Sequence, residues 1–514
     1  MDLAPAPSPT RRELLDLARE RGVPGRDRMT KGELARHLAG GATAQDAPEA
    51  GTNAETHPDR QPPIASRLEP FRRLAQARAD GDMVLLPRVL TGDDRRVHVR
   101  QTIREDHQVR IARGDEESRA KFDKLAGSLF SFFRGTSLLF YRDMAGEDAW
   151  MPTVLAAGDV HPDNFGVLPN RDEVPVFGID DHDEAFFAPF TWDLKRGATG
   201  FVLAADELGG KGRGKQQRIA RAFVEGYVEA IGSYATEENE LEHELRRDNS
   251  PKLVRDLIDD ALSPGRARWL AEGYLDEHRR GFKASKKLVP VSSRREEFQG
   301  VVDRYVAAND LDVPERTAGM RVKDVAERKG QGTASLGLTR YYVLVEGCTG
   351  DGTDDVVLEF KQARRSALDG LVPPSDFDSS GHGDRVAHAQ RAQLARADVF
   401  YGSVEHDGLS LLVRERSPLR NSLDLGALST SQWVQYARVC GGVVAQVHAL
   451  SDEGGGLDHD VEPAITAAIG PEELFVDDVV RFAGEAAERA RADHAAFRAD
   501  HALGAFRRVD VVYR

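Results

Sequence analysis

GDVHPDNFGVL, residues 158–168, and VFGIDDHDEAFFAPFTWDLKR, residues 176–196, carry the features from which a fold for this chain can be argued. The first stretch packs Asp159, His161, Asp163 and Asn164 ahead of an apolar run that reads as a strand over 164–168. A second strand is predicted over 174–179, with LPNRDE as the turn between them, and a third over 153–157 just upstream. Asp180, Asp181, Asp183 and Glu184 crowd the end of the second strand. Carboxylates at that density repel one another unless a cation or a basic cluster compensates. Oxygen ligands of this kind suit Mg2+ or Mn2+ and not a soft metal. Standing alone, the cluster is equally well a solvated acidic turn. It does not stand alone, because Asp159 and Asn164 lie at another strand end about twenty residues earlier.

Two strand ends joined by a hairpin, bearing Asp with Asn and then Asp, resemble the catalytic segment of phosphotransferases. GDVHPDN is similar to the HGDxHxxN loop of aminoglycoside phosphotransferases and choline-kinase-like enzymes, with Ala157 where their first histidine stands. That resemblance implies Asp159 as the catalytic base, with Asn164 and Asp181 as metal ligands. Asp180 is the alternative for the later position, and Asp183 joins the metal set. The Asp of WDLKR falls where those enzymes have an acid that buttresses the loop. His161 is read as bracing the loop. Asp163, in a Pro-Asp turn, is expected to point to solvent. Arg134, inside the aromatic run SFFRGTS, must reach a partner. An active-site acid, a phosphate and a structural salt bridge are all open to it. Lys195 and Arg196 are further candidates to answer the acidic cluster. Taken together, FFRG (132–135), GDVHPDNFG, DDHDE with PFTWDLKR, GQGTASLG (330–337), VVLEFKQA and ARADVFYG resemble the uncharacterised bacterial family called domain of unknown function 2252, over about 65–510. A relationship of that family to the protein-kinase-like superfamily implies a fold and brings no established reaction.

Kinases also need a Gly-rich turn over the phosphates and a strand lysine, and nothing between 65 and 157 resembles either. Both candidates come later. GQGTASLG offers Gly330, Gly332, Thr333 and Ser335 ahead of the Tyr- and Val-rich strand 340–347, and DDVVLEFKQA ends a strand over 355–361 in Lys361. A plain hairpin remains the simpler account of the turn. GDRVAHAQRAQLARA (383–397) reads as the helix that supplies a lysine partner in kinases, yet His388 stands where Glu is expected. GLSLLVRERSP (408–418) is then the last strand of the lobe and the hinge, placing Arg414 with the nucleotide-binding set. YARVCGGVVAQVHALS (436–451) resembles the helix that precedes the catalytic loop in phosphotransferases. The order is rotated, which suggests a circular permutation. The alternative is an unrelated β-rich domain.

At 514 residues the chain should form two or three folded units. A net charge of -15 argues against indiscriminate binding to nucleic acid or anionic membranes. No apolar stretch reaches the ~20 residues of a bilayer span. With no signal core, a cytoplasmic address is the default expectation. Cys348 and Cys440 are too few for a disulfide framework or a Cys-based zinc site. Residues 11–39 read as two short helices resembling the Rho N-terminal and SAP-type modules, which contact nucleic acid or protein. Their mixed charge leaves both partners open. The expected organisation is a helical module at 1–40, a flexible linker at 41–64, a mostly helical lobe with the catalytic and metal loops at 65–315, a β-rich nucleotide lobe at 316–425, and helices packing back on the helical lobe at 426–514. Helices are predicted at 117–144, 192–208, 215–246, 251–260, 430–450 and 471–498, and a mobile loop at 371–384. The fold class expected is α+β, two-lobed and kinase-like. The function expected is ATP- and Mg2+-dependent transfer to an unknown small molecule or protein. The alternatives are a silent nucleotide-binding module recruited by its N-terminal helices, and a metal-dependent phosphoesterase.

Overall fold

The computed structural model describes residues 66–507 except 83, 238, 264, 312–314, 331–335, 373–376, 378, 379, 454–456 and 458, and in the N-terminal stretch residues 17–19, 21 and 38. The helical module expected at 11–39 and the linker at 41–64 therefore fall almost wholly outside the described residues. Six helices come first: α1 (Leu68–Ala79), α2 (Gly92–Asp106), α3 (Gln108–Arg113), α4 (Glu116–Gly127), α5 (Leu129–Gly135) and α6 (Ser137–Met144). β1 (Thr153–Ala156) pairs with β4 (Phe186–Pro189), and β2 (Phe165–Pro169) and β3 (Pro175–Ile179) form a hairpin between them. Next come α7 (Phe190–Glu207), α8 (Arg213–Glu237), α9 (Lys252–Leu262) and α10 (Arg266–Gly273). A β-rich section then runs β5 (Leu288–Pro290), α11 (Arg295–Ala308), β6 (Val322–Arg328), β7 (Arg340–Val345), β8 (Val356–Gln362), α12 (His382–Ala392), β9 (Gly402–His406) and β10 (Leu409–Glu415). α13 (Thr430–Glu453), α14 (Val461–Ile469) and α15 (Glu472–Ala502) close the chain. The protein is α+β with helices predominating.

β5 to β10 form one antiparallel sheet in the order β5-β6-β7-β8-β10-β9. Alternation along VVLEFKQ sends Leu358 and Phe360 to one face, where they pack with Val343 and Val413 against Phe298, Val301 and Tyr305 of α11. Glu359 and Lys361 consequently share the opposite face. The sheet and its covering helix begin at Leu288, ahead of the expected lobe start at 316. A strand of three residues and a single amphipathic helix give no signal that separates them from the helices before them.

α7, α8, α13 and α15 enclose the main core with β1 and β4. α7 is buried along most of its length, and the ionisable side chains it carries inward, Asp193 and Arg196, find partners there. At the other end, Phe497 of α15 and Phe506 pack on Val99, Phe122 and Phe132, and buried Arg95 joins Asp143 to Asp493. The helix predicted over 117–144 is three helices, because Ser128 caps α5 by accepting from the Ser131 N–H and the chain turns again at Thr136. The stretch expected as a loop at 371–384 contributes buried Leu371 and Phe377 and opens α12 at His382. Among the described residues no helix is long and apolar enough to cross a membrane.

α8 and α13 approach so closely that a Cβ on Gly226 would stand 2.1 Å from the Arg438 carbonyl, and one on Gly441 2.0 Å from the Phe223 carbonyl. Gly232, on the same α8, faces open space. Opposite effects of one substitution are expected: Gly441→Ala lowers stability by about 3 kcal/mol through overpacking, whereas Gly232→Ala raises it by about 0.5 kcal/mol. Urea unfolding of the two variants checks the pair, and equal effects would refute this packing.

Candidate active site

The loop after β1 is held from its own backbone. The N–H groups of Ala157 and Gly158 donate to Asp193 at 2.7 and 3.0 Å. Asp193 sits in the first turn of α7, fully buried, and its Oδ2 lies 3.2 Å from Nε2 of His448 on α13. The hydroxyl of Tyr227 lies 2.8 Å from His448 Nδ1 and completes the chain. Gly158 is left-handed, φ +91°, and a Cβ there would meet the Glu184 carbonyl at 2.3 Å. Only glycine lets the loop pass that close to the acidic stretch.

Asp159 follows. Its Oδ1 accepts from Arg196 Nη2 at 2.6 Å and Nε at 3.0 Å. Arg196 is itself fully buried, lies 3.7 Å over the Phe133 ring and donates to the Phe133 carbonyl. Burial pushes the Asp159 carboxyl above its ordinary range, and Arg196 opposes that shift. Asn164 donates from Nδ2 to the Asp159 carbonyl at 2.8 Å, and its own carbonyl accepts from Asp180 N–H, so the two loops are stitched together. Arg134 pairs with Asp163 and donates from Nε to His161 Nε2 at 3.2 Å. That acceptor role and deep burial keep His161 neutral. Of the three readings of Arg134, the structure shows a salt bridge, to Asp163. Lys195 turns away to Asp148 at 2.7 Å.

The acidic stretch divides by partner. Asp180 pairs with Arg420, and its carbonyl accepts from Arg414 Nη1 at 2.9 Å. Asp181 and Asp183 face Lys361, whose ammonium lies 3.4 and 2.5 Å from them. Burial raises both carboxyls. Lys361 and Arg414 outweigh it at Asp181 and hold that group below its ordinary range, whereas the neighbouring Asp181 adds to burial and keeps Asp183 above it. Glu184 accepts from Ala367 N–H at 2.5 Å, and its carbonyl accepts from the Ser366 hydroxyl. Asp159, Asn164, Asp181, Asp183 and Glu184 line one narrow pocket with Leu338, Gln362 and Arg364.

On the lobe side, Arg414 and Arg340 clasp Glu359 at 2.8 and 2.9 Å, one residue pair along the sheet face from Lys361. Gly330 is left-handed, φ +65°, and its N–H donates to Glu117 of α4. Gly332, Thr333 and Ser335 lie outside the described residues. Arg110 and Arg113 bind the Leu336 and Gly337 carbonyls at 2.8 and 2.7 Å, so the turn's exit is tied to α3. The carboxylates that meet Lys361 come from the acidic stretch. α12 is linked to that stretch by buried Arg385, whose guanidinium donates to the Ala185, Asp183 and Arg364 carbonyls at 2.5, 2.7 and 2.9 Å. Glu359, Arg364 and Arg385 carried no motif. An arginine on the buried face of the helix at 382–392 was the one available signal.

The donor set suits a hard divalent cation, because Asn164, Asp181 and Asp183 offer amide and carboxylate oxygens and the Lys361 ammonium stands where positive charge is demanded. The chain belongs to a family described as uncharacterised proteins conserved in bacteria, DUF2252, whose model matches residues 113–500. No curated protein and no solved structure matches it.

Removing the Arg196 charge leaves Asp159 buried with less to oppose its protonation. Arg196→Met is expected to cost about 3–5 kcal/mol near pH 8. Because the folded carboxyl then titrates above the unfolded one, the folded state binds the extra proton, and the deficit shrinks as pH falls through that raised value. Adding Asp159→Asn should restore much of the loss. Urea unfolding at pH 5 and 8 decides it: a deficit equal at both pH values and unchanged in the double variant contradicts the assignment.

Proposed function

We propose that the protein is a kinase-like phosphotransferase that uses Mg2+ and ATP, with a nucleotide lobe delivered after the catalytic loop. The observation that carries this is the meeting of Lys361 with Asp181 and Asp183, two acids that line one pocket with Asp159 and Asn164. These residues are about 200 positions apart in the chain. The strand series supports the same reading: a turn opened by Gly330, a lysine on the third strand of β6-β7-β8, a helix, and two further strands follow the order of a kinase nucleotide lobe. The permutation has its own support, since α13 packs beside β1 and offers Ser451 Oγ to the Leu155 N–H at 3.0 Å. A helix that directly precedes this loop in related enzymes is thus its spatial neighbour here, though it comes some 280 residues later.

On this reading the acceptor hydroxyl attacks the γ-phosphorus, the bond from that phosphorus to the β–γ bridging oxygen breaks, and ADP departs. The hydroxyl proton passes to Asp159, whose Oδ1 is fixed by Arg196. Asn164, Asp181 and Asp183 would hold Mg2+, which neutralises charge on the phosphates when bound. Lys361 would exchange its carboxylate partners for the α- and β-phosphates. Asp193 acts on the loop backbone and touches no reacting atom.

A silent nucleotide-binding protein, recruited through residues 11–39, is the second reading. It draws on His388, which stands where a kinase helix would offer Lys361 a glutamate. The phosphoesterase alternative gains no support, because His161 Nε2 is occupied by Arg134 and no histidine is among the described residues lining the pocket. Calorimetry with ATP tests the proposal. Wild type should bind ATP only with Mg2+. Lys361→Met and Asp181→Asn should weaken binding about tenfold or more, and Asp159→Asn should keep binding while lowering turnover of labelled ATP about 100-fold or more. Absent Mg2+-dependent binding by wild type overturns it, and binding without turnover favours the silent protein.

A further inference from the structure

The pocket contains a cation that no motif announced. Arg364 follows the lysine strand by two residues, and among the described residues lining the pocket it is the one basic side chain. We propose that Arg364 contacts the terminal phosphate of a bound nucleoside triphosphate, at the Glu184 end of the acidic stretch. This deepens the phosphotransferase reading and rests on it.

Three observations support the assignment. The first is donor availability. Arg364 Nη1 lies 3.2 Å from Asp106 Oδ1 and 3.5 Å from the Asp106 carbonyl, and Nη2 lies 3.7 Å from Glu184 Oε1. These are long contacts beside the 2.6 Å that Arg196 makes with Asp159. A guanidinium has five N–H donors in a planar fork suited to phosphate, and loose carboxylate contacts are ones an incoming phosphate can replace.

The second is placement. The Arg364 carbonyl and the carbonyls of Asp183 and Ala185 accept from the same buried guanidinium, that of Arg385. The backbone that carries Arg364 and the backbone of the acidic stretch are therefore fixed relative to one another by one group. A side chain meant only to fill space needs no such anchorage.

The third is charge. Arg110 and Lys121 crowd the same region around half-buried Asp106, whose carboxyl they help hold below its ordinary range against desolvation. Burial and the neighbouring Arg110 and Arg364 depress the Lys121 ammonium far below its usual range, and burial with Arg364 brings Arg110 down to about 9. Arg364 itself is held charged against burial by Asp106 and Glu184, and a phosphate that displaces those acids from its fork would add the anion that the crowded cations Arg110 and Lys121 favour.

Lys361, placed for the α- and β-phosphates, and Arg364, placed for the terminal one, predict different losses. In titrations of the full chain with Mg2+ present, Arg364→Gln should weaken ATP about tenfold or more and ADP less than about twofold. Lys361→Met should weaken both alike. Arg364→Lys keeps the charge without the fork and should show a smaller loss with the same preference. Circular dichroism verifies folding of each variant, and if Arg364→Gln does not fold, the ATP-to-ADP ratio of Arg364→Lys decides. Equal losses for the two nucleotides, or none, overturn the role of Arg364 and leave the phosphotransferase reading intact so long as wild type binds MgATP. A wild type that binds neither nucleotide overturns that reading, and Arg364's role with it.

Discussion

Two backbone N–H groups, those of Ala157 and Gly158, have a single buried carboxylate to satisfy them, and the rest of the site is arranged around that requirement. Asp193 is a fully buried carboxyl group, so its oxygens must be hydrogen-bonded or be costly to the fold. The two N–H groups take one side, and His448, oriented by Tyr227, takes the other. Three helices, α7, α8 and α13, thereby converge on one turn of chain. The turn then has no freedom left: it enters through a left-handed glycine, passes against the Glu184 carbonyl and presents Asp159 to Arg196. The acidic stretch is fixed in turn, since Glu184 is bonded at both carboxyl and carbonyl by residues 366 and 367, just beyond the lysine strand.

Charge also organises the junction between the sheet and the helical part. A strand carrying Glu359 and Lys361 on one face can bury that face only against groups of opposite sign. The junction accordingly holds Lys361 with Asp183, Glu359 with Arg340 and Arg414, and Glu415 with Arg266 and Arg316. Crowding with Glu415 and burial lift the Asp398 carboxyl to about 7. Such buried pairs add less stability than apolar packing of similar volume, while mispairing them is expensive. They define how the sheet sits on the 158–164 and 180–184 loops more than how strongly it is held.

The parts of this arrangement that could be read from the chain are those with a local signature. The hairpin 165–179 and the strand ending at Lys361 follow from alternation and turn residues, and the Asp of WDLKR follows from its place at a helix start. The single helix read over 117–144 failed because the Ser128 cap is weak beside the apolar pattern running through it. Arg364 and Arg385 could not be found this way, because their partners are main-chain carbonyls and acids 20 to 260 residues distant. A carbonyl bears no mark in a sequence. The helix read over 383–397 is expected to offer Lys361 a partner; Lys361 meets Asp181 and Asp183 instead, and the helix is tied to the acidic stretch through Arg385 and backbone carbonyls.

Sequence distance bears on how the site comes into being. Asp159 is held by Arg196 from the first half of the chain, yet Asp181 and Asp183 meet Lys361, the Asp183 carbonyl meets Arg385, Asp180 meets Arg420 and Asp193 meets His448, all from the second. The 158–164 loop cannot hold its native geometry from local interactions alone, since even the N–H groups of Ala157 and Gly158 depend on Asp193, which is bonded by His448 of α13. Contacts at such separation must repay loop closure before they contribute, which makes them late and cooperative. The loop's native geometry therefore depends on docking of the last helices, and the α8–α13 contact through Gly226 and Gly441 is where that docking takes place.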